Sequence, residues 1–329
     1  MAGEGQQESV ASVTVAYNEA HVLPRQLDAL LTQTRRLQEV IVVDNASTDG
    51  VRAMLAERYP QVTVLTMREN LGVGGALAAG IAYAALEKRH DWVWTFDADS
   101  VPRADALEAL LEGVESQNGR EDELGIVASM PVHRGTGSCY SPLFWRDGFV
   151  RPPAEVLRQP IYYADLVISS GCMVRRDVVE KIGLPRADFF MDFIDFEYCL
   201  RARSRGYNVA VVTRSQLSHE IGNARKVWLL RSRLWPGYAP WREYYLTRNL
   251  AYAAWQLYPS QGAKRFVVRH LTRHATGVVF FSSSKLSCLK MMAQGFWDGV
   301  HGRLGVRFRP PVAPESKTRA SNDPAGVVP

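Results

Sequence analysis

Residues 91–102, DWVWTFDADSVP, end an aromatic and β-branched run on two carboxylates, Asp97 and Asp99, with only Ala98 between them. Trp92 to Phe96 have the composition of a buried strand. Two carboxylates at i and i+2 just past a strand end repel each other. A divalent cation removes that cost. Hard oxygen ligands suit Mg²⁺ or Mn²⁺, and Mg²⁺ completes its shell with water and substrate phosphates. The pair is therefore a candidate half-site for a metal that carries a diphosphate. The local alternative is Asp99 or Ser100 capping a helix that begins near Pro102. A second acidic group, Asp192, Asp195 and Glu197, crowds the otherwise aromatic DFFMDFIDFEYCLRARSRGY of 188–207. Aromatic surroundings raise a carboxylate's pKa and strengthen it as a base. The alternative here is a helix-start cap, with Glu197 paired to Arg201 at i+4.

The elements that must position these groups alternate along the first half of the chain. SVTVAY (12–17), VIVVD (40–44), VTVLTM (62–67) and WVWTFD (92–97) read as strands. Helical patterns separate them: Leu23, Leu27, Leu30 and Leu31, then NASTDG leading a helix to about Arg58, then NLGVGGALAAGIAYAALEK (70–88). Such spacing implies βαβ units and a mostly parallel α/β sheet. Ligands of such sheets sit outside the carboxyl ends of the strands, where Tyr17, Asn18, Asp44 and Asp97 fall. A helix over about 103–116 and the strand LGIVASMPV follow. Residues 133–160 read as an excursion loop, 164–183 as strand, turn and helix, and NVAVVT (208–213) as a last short strand. From about 225 to 311 the pattern is helical, with no strand alternation, and 312–329 has the composition of a disordered tail. The expected division is a catalytic domain over 1–224, a basic helical region over 225–311 and the tail.

Composition narrows the partners. With 329 residues, 47% of them hydrophobic, the chain can build one large domain and an appendage. No stretch approaches 18 apolar residues, and MAGEGQQESV lacks the regions of a signal peptide. Cysteines 139, 172, 199 and 288 show no CxxC spacing, which fits a cytoplasmic protein with free thiols. The net charge of +5 hides an asymmetry: residues 225–311 hold 15 Lys and Arg against Glu243 and Asp298, and the rest holds 24 basic and 32 acidic residues. The basic third also carries Trp228, Trp235, Trp241, Trp255 and Trp297. It reads either as a solvated helical pack or as a peripheral contact with anionic lipid at the inner face of the plasma membrane. No nucleic-acid-binding motif is visible, and nucleic acid is not an expected partner.

The series VTVAYNE, EVIVVDNASTDG, NLG, WTFDADSVP, SGCMVRRDVVEKIG, DFFMDFIDFEYCLRARSRGY and HEIG resembles, motif for motif over about residues 11–222, the family 2 glycosyltransferases of GT-A fold. Within that family it is most similar to non-processive, rhamnosyltransferase-like enzymes, whose later segments resemble REYYLTRNLAYAAWQLYP (242–259) and GFWDGVHGRLG (295–305). Galactofuranosyltransferases share much of the pattern. The resemblance implies a Rossmann-like, mostly parallel mixed sheet flanked by helices, with a C-terminal helical extension.

It also implies roles. Tyr17 packs on the nucleotide base, Asn18 lies beside it, and Asp44 accepts from the base's imide N–H. Uracil and thymine both present that donor. Asn70 and Gly72 line the nucleotide, and Gly171 lies beside the donor sugar. Asp99 binds Mg²⁺ or Mn²⁺, Asp97 the ribose or the metal, and His219, 24 residues after Asp195, is an extra ligand. Asp195 is the base, Asp192 the runner-up, and Glu197 orients the acceptor or pairs with Arg201. Ala79 departs from an Asn common in relatives.

The implied function is inverting, metal-dependent transfer of a sugar, L-rhamnose as first choice, from a dTDP- or UDP-sugar. The acceptor is a hydroxyl of a glycan or polyprenyl-diphosphate-linked glycan. The alternatives are a galactofuranosyltransferase using UDP-galactofuranose and a non-catalytic sugar-nucleotide-binding scaffold. A nucleotidyltransferase would carry a Gly-rich basic loop where this chain has AYNEAHVLPR. A processive synthase would need spanning helices and a QxxRW motif, and RSRLWPG lacks the Gln.

Overall fold

The first four strands place both candidate aspartates by register. The structure is a computed structural model, described over residues 8–117, 123–133, 144–145, 149–219, 225–227, 233–235 and 237–311. In chain order β1 (Val10–Ala16), α1 (Leu23–Leu31), β2 (Glu39–Asp44), α2 (Val51–Arg58), β3 (Thr63–Thr66), α3 (Gly72–Ile81) and β4 (Trp92–Asp97) form successive parallel crossovers. β1 is buried along its whole length between β2 and β4. Ala16 pairs with Asp44 and Val15 with Asp97, so both carboxylates leave the sheet at one edge.

The chain continues through β5 (Val101–Pro102), α4 (Ala106–Glu115), β6 (Leu124–His133), β7 (Phe144–Trp145), β8 (Phe149–Val150), β9 (Ile161–Ala164), β10 (Cys172–Arg175), α5 (Arg176–Ile182), α6 (Ile194–Ser204) and β11 (Asn208–His219). The main sheet runs β3-β2-β1-β4-β10-β6-β11-β5, with β9 also on β11. β10 is antiparallel to β4 and β6, and β11 is parallel to β6, so the sheet is mixed. Its two faces are covered separately. Leu23, Leu27 and Leu30 of α1 pack with Leu55, Leu107 and Leu110 on one side. Leu77 and Ile81 of α3 pack with Val178 and Tyr198 on the other. Beyond the sheet lie β12 (Arg225–Val227), β13 (Arg233–Trp235), α7 (Pro240–Tyr252), α8 (Gln261–Phe281) and α9 (Lys285–Val300).

Four local expectations are corrected. Neither Asp99 nor Ser100 caps a helix: Val101 and Pro102 pair with β11, and α4 starts at Ala106. The last strand reaches His219 rather than residue 213, because an irregularity between Val212 and Gln216 absorbs the polar Arg214 and Ser215 and pairing then resumes. The basic region is not wholly helical, since β12 and β13 pair antiparallel over three residues each, too short to show an alternation. The excursion loop holds the β7–β8 pair and a 3₁₀ turn at Val156–Arg158. The expected tail, 312–329, lies outside the described residues, as do Cys139 and Trp228. Cys172, Cys199 and Cys288 are free and buried. Among the described residues no helix is long and apolar enough to cross a membrane.

Candidate active site

A cleft of about 730 Å³ opens at the carboxyl ends of β1, β2 and β4, and α7 and α8 close its far side. Tyr17, Asn70, Gly72, Asp97, Asp99, Asp192, Asp195 and His219 all line it. The sheet register therefore brings most of the sequence-derived residues to one space.

Asp97, Asp99 and His219 each offer one ligand atom within 4.8 Å of the other two. His219 reaches them from the end of β11, with Nδ1 2.7 Å from Ser100 Oγ and 3.7 Å from Asp99 Oδ1. Ser170 Oγ donates to Ser100 Oγ at 2.7 Å. The buried Gln26 side chain donates to the carbonyls of Asp97 (2.5 Å) and Ser100 (2.6 Å), which holds the turn. Burial pushes the Asp97 carboxyl above its ordinary range, His219 draws it back, and the Asp99 charge pushes it up again. Two hard carboxylates and an imidazole, crowded so that one resists ionising, fit a divalent cation of the Mg²⁺ or Mn²⁺ kind.

Asp195 stands in the first turn of α6. Its Oδ1 accepts from the Phe196 N–H at 2.9 Å and its Oδ2 from the Ser169 N–H at 3.4 Å. Burial pushes its carboxyl up to about 7; the Asp97 and Asp192 charges add to the shift and the two N–H groups oppose it. Asp192 is held differently. Arg242 grips it with Nε at 3.2 Å and Nη2 at 3.0 Å. Glu197 lies off the cleft wall, buried, and accepts from Arg201 Nε and Nη2 at 2.9 Å each. Arg201 also donates to the carbonyls of Ile182 and Leu184, so this pair fastens α6 to the preceding loop.

The loop that carries Asp192 is strained. Phe190, Asp192 and Phe193 have φ of 63°, 62° and 66°, a region that costs non-glycine residues about 1 kcal/mol or more each. Two buried side chains of α7 hold it. Asn249 Nδ2 donates to the carbonyls of Phe189 (3.1 Å), Met191 (2.7 Å) and Asp192 (2.8 Å). Arg248 Nη2 donates to those of Asp188 (3.0 Å) and Phe189 (2.7 Å). Gly72 abuts the same loop: its φ is +70°, and a Cβ there would lie 2.2 Å from the Phe190 carbonyl oxygen.

The nucleotide-side residues divide. Tyr17 faces the cleft, and Asn45 Nδ2 donates to Asn70 Oδ1 at 3.1 Å. Asn18 turns away, its Oδ1 accepting from the Thr48 N–H at 2.7 Å. Asp44 is buried behind the cleft floor. Its Oδ1 accepts from the Ser47 N–H at 2.9 Å, while Oδ2 lies 3.3 Å from Arg52 Nε without accepting a hydrogen bond. Gly171 is also off the wall. Its φ of +79° and a Leu217 methyl 2.3 Å from where a Cβ would be show a packing need, and Ser169 takes its place on the cleft.

Sequence reasoning missed Glu19, Arg242, Arg248, Asn249 and His270. Glu19 lines the cleft, and burial, then the Asp97 and Asp99 charges, push its carboxyl up to about 7. It was visible only as the last letter of VTVAYNE. Arg248 and Asn249 showed in the sequence only as a polar pair between Leu246 and Leu250, in a helix that also carries Arg242, Glu243 and Thr247.

A family model described as glycosyl transferase family 2 matches residues 12–183. The chain is a family 2 glycosyltransferase. The glycosyltransferase is 27% identical over 300 residues to a dTDP-rhamnosyl transferase, RfbF, of Shigella flexneri, covering 90% of this chain and 97% of that protein. It is 24% identical over 257 residues to the galactofuranosyltransferase GlfT1 of Mycolicibacterium smegmatis, covering 74% of this chain and 82% of that one. Among solved structures it is similar to GalNAc-T7 with UDP, GalNAc and Mn²⁺. The TM-score is 0.58 at 14% identity, over 91% of this chain and 57% of that one. That likeness shows the GT-A fold.

Proposed function

We propose that this glycosyltransferase moves L-rhamnose, with inversion and one residue at a time, from a dTDP- or UDP-activated donor to a hydroxyl of a glycan or polyprenyl-diphosphate-linked glycan in cell-surface polysaccharide assembly. The observation that carries the reading is that Asp195, with its carboxyl raised to about 7, shares one cleft with the Asp97, Asp99 and His219 cluster.

Asp195 takes the proton of the acceptor hydroxyl as that oxygen attacks the anomeric carbon. A carboxylate poised near 7 is a stronger base than an ordinary aspartate and is still substantially ionised at neutral pH. Asp97, Asp99 and His219 would hold a divalent cation, which supplies Lewis-acid neutralisation of the departing diphosphate. Arg242 keeps Asp192 paired, so of the two aspartates on this side of the cleft Asp195 is the one left to act. Tyr17, Asn45 and Asn70 border the nucleoside. The spare acceptor on Asp44 Oδ2 supports an imide N–H above it, with the intervening side chains shifting on binding. Rhamnose is favoured by the relative named a dTDP-rhamnosyl transferase, matched over 97% of its length. UDP-galactofuranose is the second reading, favoured by the similarity to GlfT1. Use of nucleotide sugars fits a cytoplasmic location.

The test is transfer from dTDP-rhamnose, UDP-rhamnose and UDP-galactofuranose to glycan and lipid-linked acceptors, with the product anomer read by NMR. The expected result is rhamnosyl transfer with inverted configuration. Turnover with UDP-galactofuranose alone would establish the second reading. Nucleotide binding with no turnover on any pair would reduce the chain to a scaffold.

A further inference from the structure

We propose that the outward stripes of α8 and α9, with the turn between them, form a docking surface for an anionic lipid bilayer that the protein binds peripherally. Each helix buries its other side. Phe266, Val267 and Leu271 of α8 pack with Leu250 of α7, and Cys288 and Met292 of α9 pack with Val278 of α8. The remaining sides mix cations with apolar groups. On α8, Arg265, Val268, Arg269, Thr272, Arg273 and Val279 recur at helical spacing and are exposed. On α9, Leu286, Lys290 and Trp297 are exposed along one side. At the joining turn Leu286 is 85% and Phe280 59% exposed.

A single exposed Leu is ordinary; the clustering is not. Of ten exposed large hydrophobic side chains among the described residues, six (Val268, Val279, Phe280, Leu286, Trp297 and Val306) fall between 261 and 311. The same stretch holds nine Lys and Arg and a single acid, Asp298, which is buried and 3.6 Å from Arg303. Arg309 pairs with the exposed Glu69 away from the two helices, whereas α8 and α9 themselves present cations and no exposed carboxylate of their own. A second copy docked face to face would set like charges against each other. Nucleic acid would take the charge but offers no apolar phase for Phe280 and Leu286. An anionic bilayer takes both, its phosphates meeting the arginines and its acyl boundary the apolar tip.

His270, beside Arg269 on α8, lines the cleft. The lipid-facing helix is thus also a cleft wall. Delivery of a lipid-linked acceptor along it rests on the transfer reaction proposed above; binding to lipid does not.

The test is co-sedimentation of the full chain with phosphatidylglycerol–phosphatidylcholine vesicles and with pure phosphatidylcholine vesicles, beside ultracentrifugation of the protein alone. Binding is expected to the anionic vesicles and to weaken with salt. Removing two arginines together, Arg269→Gln and Arg273→Gln, lowers the partition coefficient about 30-fold, at about 1 kcal/mol for each cation near the surface. Phe280→Ser with Leu286→Ser lowers it at least about tenfold with the charges intact. Melting temperature and nucleotide binding stay unchanged in both pairs. The proposal is overturned by no vesicle binding, by equal binding to both lipids, by variants that bind like the parent, or by a dimer that these substitutions dissociate. None of these readouts depends on which donor sugar is used.

Discussion

Asp195→Asn keeps the size of the side chain and removes the charge and the proton acceptor. Its effect can be worked out on two scales. The carboxyl stands at about 7 in the folded protein against an ordinary 3.8. One pKa unit is about 1.4 kcal/mol, so ionising this group costs the folded chain up to about 4 kcal/mol more than the unfolded chain. The folded state therefore holds the proton more tightly. Its stabilising effect is complete below pH about 4, fades as pH rises, and is lost above about 7. Asparagine has no such dependence. The N–H bond it gives up, from Phe196 or Ser169, shifts stability equally at all pH. The melting temperature of the variant should thus gain on the parent between pH 4 and pH 8. The gain is up to about 8 °C, at roughly 2 °C per kcal/mol for a chain of this size. Scanning calorimetry in a chelating buffer measures it, so that no cation offsets the Asp97 charge. In the transfer assay the variant should lose about 10² to 10⁴ in turnover with nucleotide affinity retained. A variant within threefold of parental turnover refutes Asp195 as base. A melting difference that is the same at pH 4 and pH 8 refutes the account of a carboxylate destabilised by burial.

Three further outcomes follow from the same geometry. Asp99→Ala should weaken Mn²⁺ binding by at least about 100-fold in titration followed by electron paramagnetic resonance, and Ser100→Ala, which removes the hydroxyl that contacts both His219 and Asp99, by about tenfold. Asn249→Ala leaves the Met191 and Asp192 carbonyls without their donor and should cost about 2–3 kcal/mol in urea unfolding, with a fall in kcat because Asp192 and Asp195 lose their seating. Arg242→Ala releases the Asp192 charge beside Asp195 and raises the base further, so the acidic limb of the kcat–pH profile should move to higher pH; a limb that stays in place would show that Asp192 does not act on the base.

Much of this site was legible in the sequence because a parallel sheet turns strand ends into a site. Once WVWTFD and VIVVD read as parallel strands of one sheet, Asp97 and Asp44 had to emerge at one edge, and their common pairing with β1 bears this out. The leucines of α1 were legible for the same kind of reason, a 3.6-residue period over nine residues. What escaped was set by long-range contact. The irregularity after Val212 hides the continuation of β11, and with it the path that carries His219 to the aspartates. The grip of Arg248 and Asn249 on residues 188–192 spans about 60 positions and leaves no local periodicity. Gly171 shows the converse: the resemblance sets it beside the donor sugar, but its missing side chain makes room for Leu217, and Ser169 faces the cleft. Glu197 was open between two roles in the sequence, and its buried bond to Arg201 places it with the structure of α6.

The position of a bound divalent cation decides the mechanism most directly. Crystals soaked with Mn²⁺ and dTDP or UDP should give an anomalous peak bridging Asp97, Asp99 and His219, with the nucleotide phosphates on its open side and Asp195 across the cleft. A peak elsewhere, or bound nucleotide with these three side chains turned onto arginines and no peak between them, would contradict it.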